Sequence, residues 1–411
     1  MKNQSIKIAY VHSMHFPSQE ANAFDSVWAA SALSKIVPTT FFIRDSKLSD
    51  AKLKKYYNIE GSSLKFKSLH LNLIPDRILI KMPFLYEKLL ASLFRLYPGW
   101  SAFKGKKVLY IRDPKALLFW GMQKQNRNWL KSWTLIFEAH DPLGIDPNQF
   151  GSQNPFSLKE GAEGERRQAI LKSAKHFDAV ICNSQALADD IYNWTNGEIH
   201  TCAILIGSNV PRVRITPEIK TFGSQIVLGY IGTIDRQRGV DMLLEALKIL
   251  PGNVTLRLVG RLRKESGVDP AWLENYLQDP ELSNRILLLV EDPIKDVAAE
   301  IDKCDILIQT ASNDQQYARY GVPLKAFCYM NRGKPIIVGD VPCFHEFFQG
   351  GQNCIYYKLD PQSLAEAILT LINNPGLAEK IARGALERSE EFDLSHRVEK
   401  ILAVINTNSK D

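Results

Sequence analysis

The chain has 411 residues, 45% of them hydrophobic and 23% charged, with a net charge of +6. That composition gives a globular protein with ample core-forming material, and at roughly 100–200 residues per domain it predicts two domains. No run approaches the roughly 18 apolar residues of a membrane-spanning helix. The six cysteines are scattered without a CxxC pair, which argues against a structural zinc site and suits a reducing, cytoplasmic setting.

In chain order, the first apolar run is Ile6–Val11. It is short and flanked by polar residues, so it is expected to be a buried strand and not the apolar region of a signal peptide. Further strand-like runs in the first half are TFFIR, KVLYIRD, TLIFEAH, AVICNS and CAILI. The second half adds IVLGYIG, VTLRLVG, ILLLVE, DILIQTA and KPIIVGD. All are apolar along their length, as strands buried on both faces are. Helical stretches alternate with them; in VDMLLEALKIL, Val240, Leu243, Leu244, Leu247 and Leu250 share one face. Such alternation predicts parallel α/β sheets, two in succession. The non-periodic stretch Ser208–Gln225 is the expected linker, and ligands are expected beyond the strand carboxyl ends, in a cleft between the domains.

Ser46–Phe103 breaks the pattern. It is basic, and Leu85, Leu89, Leu93 and Leu96 recur at helical spacing, which suits either a helix packed on the sheet or an amphipathic surface that meets lipid. Charge is unevenly spread: residues 1–215 hold 29 Lys/Arg against 18 Asp/Glu, and residues 216–411 hold 22 against 27. Between Arg44 and Lys131 there are 19 basic and 6 acidic residues. An anionic membrane surface fits this excess better than nucleic acid, for which no recognition motif is present.

Two segments, Ile226–Leu247 and Tyr320–Asp340, each place Gly or Pro and basic side chains where strand meets helix. That arrangement suits a phosphate, because helix-start N–H groups and guanidinium charge attract anions. Neither segment carries GxGxxG, so a dinucleotide redox fold is disfavoured. No DxD pair is present, and DPLGID spaces its acids too widely for a dedicated magnesium pair.

Several of these segments resemble the retaining, family-four type of the group 1 glycosyltransferase superfamily. The match runs from FPSQEANAFDSVWAASALSK through YIRDP, FEAHDPLG and AVICNSQALADDI to YIGTIDRQRGVDMLLEAL. Its longest part is VPLKAFCYMNRGKPIIVGDVPCFHEFFQGGQNCIYY. The resemblance implies a GT-B fold of α/β class. Residues 1–215 would form an acceptor-binding Rossmann-like domain and 216–394 a nucleotide-sugar-binding one, with 395–411 returning to the first. It implies metal-independent, retaining transfer of a sugar from a nucleotide-sugar to a glycan or lipid-linked acceptor, without a cofactor, in surface polysaccharide assembly. The alternative is a non-catalytic GT-B subunit that binds a glycan or a glycosyltransferase.

The resemblance also assigns residues. His140 would contact the donor sugar, with Asp141, Ser18 and Asn22 near the cleft. Glu138 is expected to point away, by strand alternation. Arg238 would stabilise the diphosphate, beside Gly232, Thr233 and Arg236. Gly321, Pro323, Leu324 and Lys325 would offer a phosphate-facing helix start. Two departures stand out. Thr233 replaces a basic residue, and Tyr320 and Cys328 replace the paired glutamates that many relatives carry, the second of which holds the ribose. A neutral thiol is a weak hydrogen-bond partner.

Overall fold

The computed structural model describes residues 5–69, 84–142, 162–215, 218–219, 221–263, 271–291, 294–311 and 314–407. Residues 70–83 of the basic stretch and 143–161, with most of DPLGID, lie outside them. The chain divides into two compact units: residues 1–206 with 394–411, and residues 207–393.

The first unit is built on a seven-stranded sheet. Its strands are β1 (Ile6–Phe16), β2 (Thr39–Ser46), β3 (Lys65–Ser68), β4 (Lys106–Ile111), β5 (Trp133–Ala139), β6 (Ala179–Cys182) and β7 (Thr201–Ala203). The order is β3-β2-β1-β4-β5-β6-β7, and every pairing is parallel. The central strands β4, β5 and β6 are mostly apolar and nearly all buried, because helices cover both faces. One layer is aromatic: Phe94, Trp100, Trp120 and Trp133 pack with ring centroids 5.0–6.0 Å apart. The helix Leu394–Thr407 belongs to this unit and packs on the helix Ala21–Ser34, burying Arg397, Val398, Ile401 and Ile405.

In the second unit the strands are β8 (Ile226–Ile231), β9 (Val254–Gly260), β10 (Ile286–Val290), β11 (Ile306–Gln309), β12 (Ile336–Gly339) and β13 (Ile355–Tyr357). They run β10-β9-β8-β11-β12-β13, again all parallel. The helix Val240–Ile249 buries Val240, Leu243, Leu244 and Leu247 against this sheet, as the periodicity predicts. Strand β10 departs from expectation. ILLLV reads as buried on both faces, yet Leu287 is 48% and Val290 59% exposed, because β10 is an edge strand.

Both sheets share one plan, in which the first strand of the unit sits centrally and the chain moves outward to one side and then to the other. The order reverses between β1 and β4 and between β8 and β11. At such a reversal the loops leave in opposite directions and open a crevice at the strand carboxyl ends, where open α/β sheets bind ligands. Among the described residues no helix is long and apolar enough to cross a membrane.

Candidate functional site

In the first unit, chemistry collects at the carboxyl ends of β4, β5 and β6, which lead directly into Arg112, His140 and Asn183. Arg112 Nη1 donates to Asp25 Oδ2 at 2.8 Å and to the backbone carbonyl of Asn22 at 3.1 Å. Its Nη2 lies 2.5 Å from His140 Nε2. Glu138 Oε1 is 2.7 Å from the same imidazole nitrogen and accepts from Arg397 Nη2 at 2.8 Å. Arg397 Nη1 closes the ring of contacts on Asp25 Oδ1. Asn183 Nδ2 lies 3.4 Å from His140 Nδ1.

Glu138 therefore does not point away from His140. Residues two apart on a strand share a face, so alternation brings the two side chains together. Glu138 is fully buried, and Tyr10 and Tyr110 donate to its Oε2. Burial pushes its carboxyl upward, but Arg112 and Arg397 outweigh that and hold it well below the usual range. Two buried carboxylates against two buried guanidinium groups leave the cluster balanced, which is what makes burying four charges tolerable. Burial, and then Arg112, lower the His140 pKa, against a smaller upward pull from Glu138. The His140 side chain is 27% exposed while those of Asp25, Arg112, Glu138 and Arg397 are at most 4%, so the imidazole is the open end of the network.

Asp25, Glu138 and His140 also bring their ligand atoms within 4.8 Å of one another, close enough to share one ion. The donor set does not fit that use. Both oxygens of Asp25 and Glu138 Oε1 already face a guanidinium, and a further cation would have to displace an arginine.

Of the other expected residues of this unit, Asn22 touches the network through its carbonyl and Asp141 follows His140 in the chain. Ser18 exchanges backbone hydrogen bonds with the Tyr57 hydroxyl, at 2.8 and 3.0 Å. Asn22 is exposed and anchored through its carbonyl, and Asp141 is exposed beside His140. His12, on β1, is 5% exposed, and among the described residues neither ring nitrogen has a hydrogen-bond partner. Burial, reinforced by Arg112, lowers its pKa to about 3.

In the second unit the carboxyl ends of β8 and β9 press together. A Cβ on Gly260 would sit 2.1 Å from the Gly232 carbonyl, and both glycines have positive φ, +141° and +151°. Only glycine permits this approach. Lys325 lies against Gly232, its Nζ 3.6 Å from the centroid of the Tyr230 ring. Among the described residues no carboxylate lies within ion-pair distance of it. Burial, and then the charge of Arg238, hold its pKa well below the ordinary lysine value.

Arg238 is 38% exposed and only loosely held by Asp235, at 3.9 Å. Arg236 points elsewhere: it is 61% exposed and binds Asp241 at 3.1 Å. Thr233 accepts the Tyr230 hydroxyl on its carbonyl at 2.8 Å. Gly321 follows the helix Gln315–Tyr320 with its N–H on the Tyr317 carbonyl, and a Cβ there would meet that oxygen at 2.5 Å. Pro323 caps the short helix Leu324–Met330. Cys328 is buried, with Sγ 3.2 Å from Ser208 Oγ. Tyr320 is also buried, and Arg319 Nε donates to its hydroxyl at 3.2 Å.

The residues singled out from the sequence thus divide between the two units. Asp25, Arg112 and Arg397 were not anticipated. Arg112 stands inside the YIRDP motif, where a charge ending an apolar strand is a local signal. Arg397 has none.

Residues 214–388 match the family model of the glycosyl transferases group 1. An uncharacterized glycosyltransferase of Methanocaldococcus jannaschii is 30% identical over 236 residues, 57% of this chain and 60% of that protein. The capsular polysaccharide biosynthesis glycosyltransferase CapM of Staphylococcus aureus is 25% identical over 198 residues, 47% of this chain and 49% of that protein. The chain thus spans between about half and three fifths of the length of these curated relatives. The crystal structure of HepE from Anabaena in complex with UDP-glucose superposes with a TM-score of 0.69 at 17% identity, covering 98% of this chain and 99% of that one. Sucrose-phosphate synthase from Thermosynechococcus elongatus superposes at 0.70 and 16% identity, with the same coverage. These likenesses carry the fold, which is GT-B, as the motifs predict.

Proposed function

We infer that this chain, whose residues 214–388 form a group 1 glycosyltransferase domain, transfers a sugar from a nucleoside-diphosphate donor to an acceptor hydroxyl. One observation carries the reading. At the order reversal of the second sheet, Lys325 lies against Gly232 with no carboxylate at ion-pair distance among the described residues, and Arg238, whose charge reaches Lys325, is held by Asp235 only at 3.9 Å. A buried lysine whose charged form is disfavoured regains it when an anion arrives. A diphosphate satisfies both cations, and the open backbone at Gly232 lets it approach.

The chemistry assigned to this site is metal-independent and retaining, and it uses no cofactor. The bond between the anomeric carbon and the diphosphate oxygen breaks, and the electron pair leaves with the phosphate. Arg238 and Lys325 stabilise the charge that builds there, taking the place of a divalent ion. The acceptor oxygen bonds to the anomeric carbon on the face the phosphate leaves, and its proton passes to a phosphate oxygen. In the first unit His140, the exposed end of the network, is assigned contacts to sugar hydroxyls, with Asp141, Ser18 and Asn22 nearby.

A glycan or lipid-linked acceptor in polysaccharide assembly is supported by the likeness to CapM and by the basic first unit. The same charge supports peripheral attachment at an anionic, cytoplasmic membrane face. The burial of Cys328 against Ser208 favours one alternative, a non-catalytic subunit that no longer grips a ribose.

Calorimetric titration with UDP, GDP, ADP and CDP, each with and without EDTA, tests the reading. One of them is expected to bind equally well in EDTA, and Arg238→Ala to weaken it at least tenfold, since a charged hydrogen bond contributes about 1.5–3 kcal/mol. If none binds, the non-catalytic alternative stands in its place. Equal affinity in the variant removes Arg238 from the site.

A further inference from the structure

We propose that Arg397, brought in by the last helix of the chain, is a positioning residue for His140 and acts on it through Glu138. The proposal rests on the reading of His140 as a sugar contact, but the contacts behind it lie wholly within the first unit. Five side chains close a ring: Arg397 on Glu138, Glu138 on His140, His140 on Arg112, Arg112 on Asp25, and Asp25 on Arg397.

His140 Nε2 sits between opposed neighbours. The Glu138 carboxylate at 2.7 Å holds a proton on it, and the Arg112 guanidinium at 2.5 Å repels one. Glu138 Oε1 also receives Arg397 Nη2 at 2.8 Å. An oxygen shared with a guanidinium has less electron density for the imidazole. Arg397 therefore tempers the pull of Glu138, and the ring stays neutral and fixed in plane. The other groups facing it are Asp25 from the first helix, His12 from β1 and the Asn183 amide beyond β6.

Arg397 touches neither the exposed edge of the imidazole nor solvent, being 3% exposed. It can influence chemistry only through its partners. Its helix also holds Val398, Ile401 and Ile405 in the core of the unit, so the guanidinium is placed by ordinary apolar packing.

Nitrogen-15 NMR of histidine-labelled full-length protein tests the proposal, with the His140 signal assigned by its loss in His140→Gln. In Arg397→Gln the midpoint of His140 should rise by about 1 pH unit, because Glu138 is released. In Glu138→Gln it should fall by a similar amount. Arg397→Lys keeps the charge but not the fork, and should move the midpoint less, in the upward direction. A folded Arg397→Gln with wild-type ring shifts and midpoint overturns the proposal. If that variant does not fold, unchanged ring shifts in Arg397→Lys overturn it instead. Transfer assays on His140→Ala separate the two readings. An unaltered rate there removes His140 from the reaction, while the titration result stands or falls by itself.

Discussion

Burial sets what single residues do in this protein, and His12 shows it most simply. Its ring is 5% exposed with no hydrogen-bond partner for either nitrogen among the described residues, and its pKa is lowered to about 3. In the unfolded chain the same ring titrates near 6.5. Between those values the unfolded state binds the proton and the folded state does not, so stability falls as pH drops below about 6.5. The slope from this one group approaches ~1.4 kcal/mol per pH unit. Denaturant titrations of wild type and His12→Leu at pH 7, 6 and 5 measure it. The variant should lose about that much of the slope, and an identical slope would mean that the ring is hydrated in the folded protein. His140 adds in the same window, since its pKa is also lowered. Glu138 contributes in the opposite range: it is held well below the carboxylate norm, so its stabilisation is present above about pH 4.5 and is lost in stronger acid.

At the scale of elements, the helix Leu85–Leu96 carries two apolar faces. Tyr86, Leu90 and Phe94 are buried in the first unit, which makes the helix part of the core. The stripe read from the sequence lies one residue away. Leu85 and Leu93 are half-buried, Leu89 is 40% exposed and Leu96 73%, next to Tyr97 at 53%. Lys88 and Arg95 flank it in solvent, Lys67 stands over the Tyr97 ring at 4.9 Å, and Lys7 over Trp100 at 4.4 Å. Outward leucines among lysines suit an anionic bilayer, where each cation near the surface contributes about 1 kcal/mol and inserted side chains add a salt-resistant part. Co-sedimentation with phosphatidylserine vesicles at low and high salt checks this. Wild type should pellet at low salt, and Leu89→Ser/Leu96→Ser should pellet less while melting at the same temperature. Protein that stays in the supernatant with anionic vesicles at low salt would leave the stripe as a solvated face and favour a soluble acceptor.

For the molecule as a whole, the two units have separate sheets and cores and repeat one strand plan. The nucleotide is assigned to the second unit, so its effects should be local before they are general. Hydrogen exchange with saturating nucleoside diphosphate should slow at residues 230–240 and 320–328 and stay unchanged along β2 and β3. Protection confined to the first unit would place the diphosphate elsewhere, and Lys325 and Arg238 would lose their assigned role.

Much of this organisation was legible in the chain itself. Continuous apolar runs such as LIF and AVIC declare buried parallel strands, because only a strand covered on both faces tolerates them. The basic residues and glycines near residues 232–238 and 321–325 likewise stand out in the sequence as the turns to which the diphosphate is assigned, since the chemistry and the turn are made by neighbours in sequence. Three features needed the tertiary structure. Strand β3, KFKS, is polar at three of its four positions because it lies at a sheet edge, and it has no apolar run to announce it. The exposure of β10 follows from sheet order, which no local window encodes. The ring of charges around His140 gathers Asp25, Arg112, Glu138 and Arg397 from separate elements, one of them 259 residues from the glutamate it binds. Periodicity and propensity are local quantities, so they determine the elements. The partners of a buried charge are chosen by packing, and only the folded chain decides them.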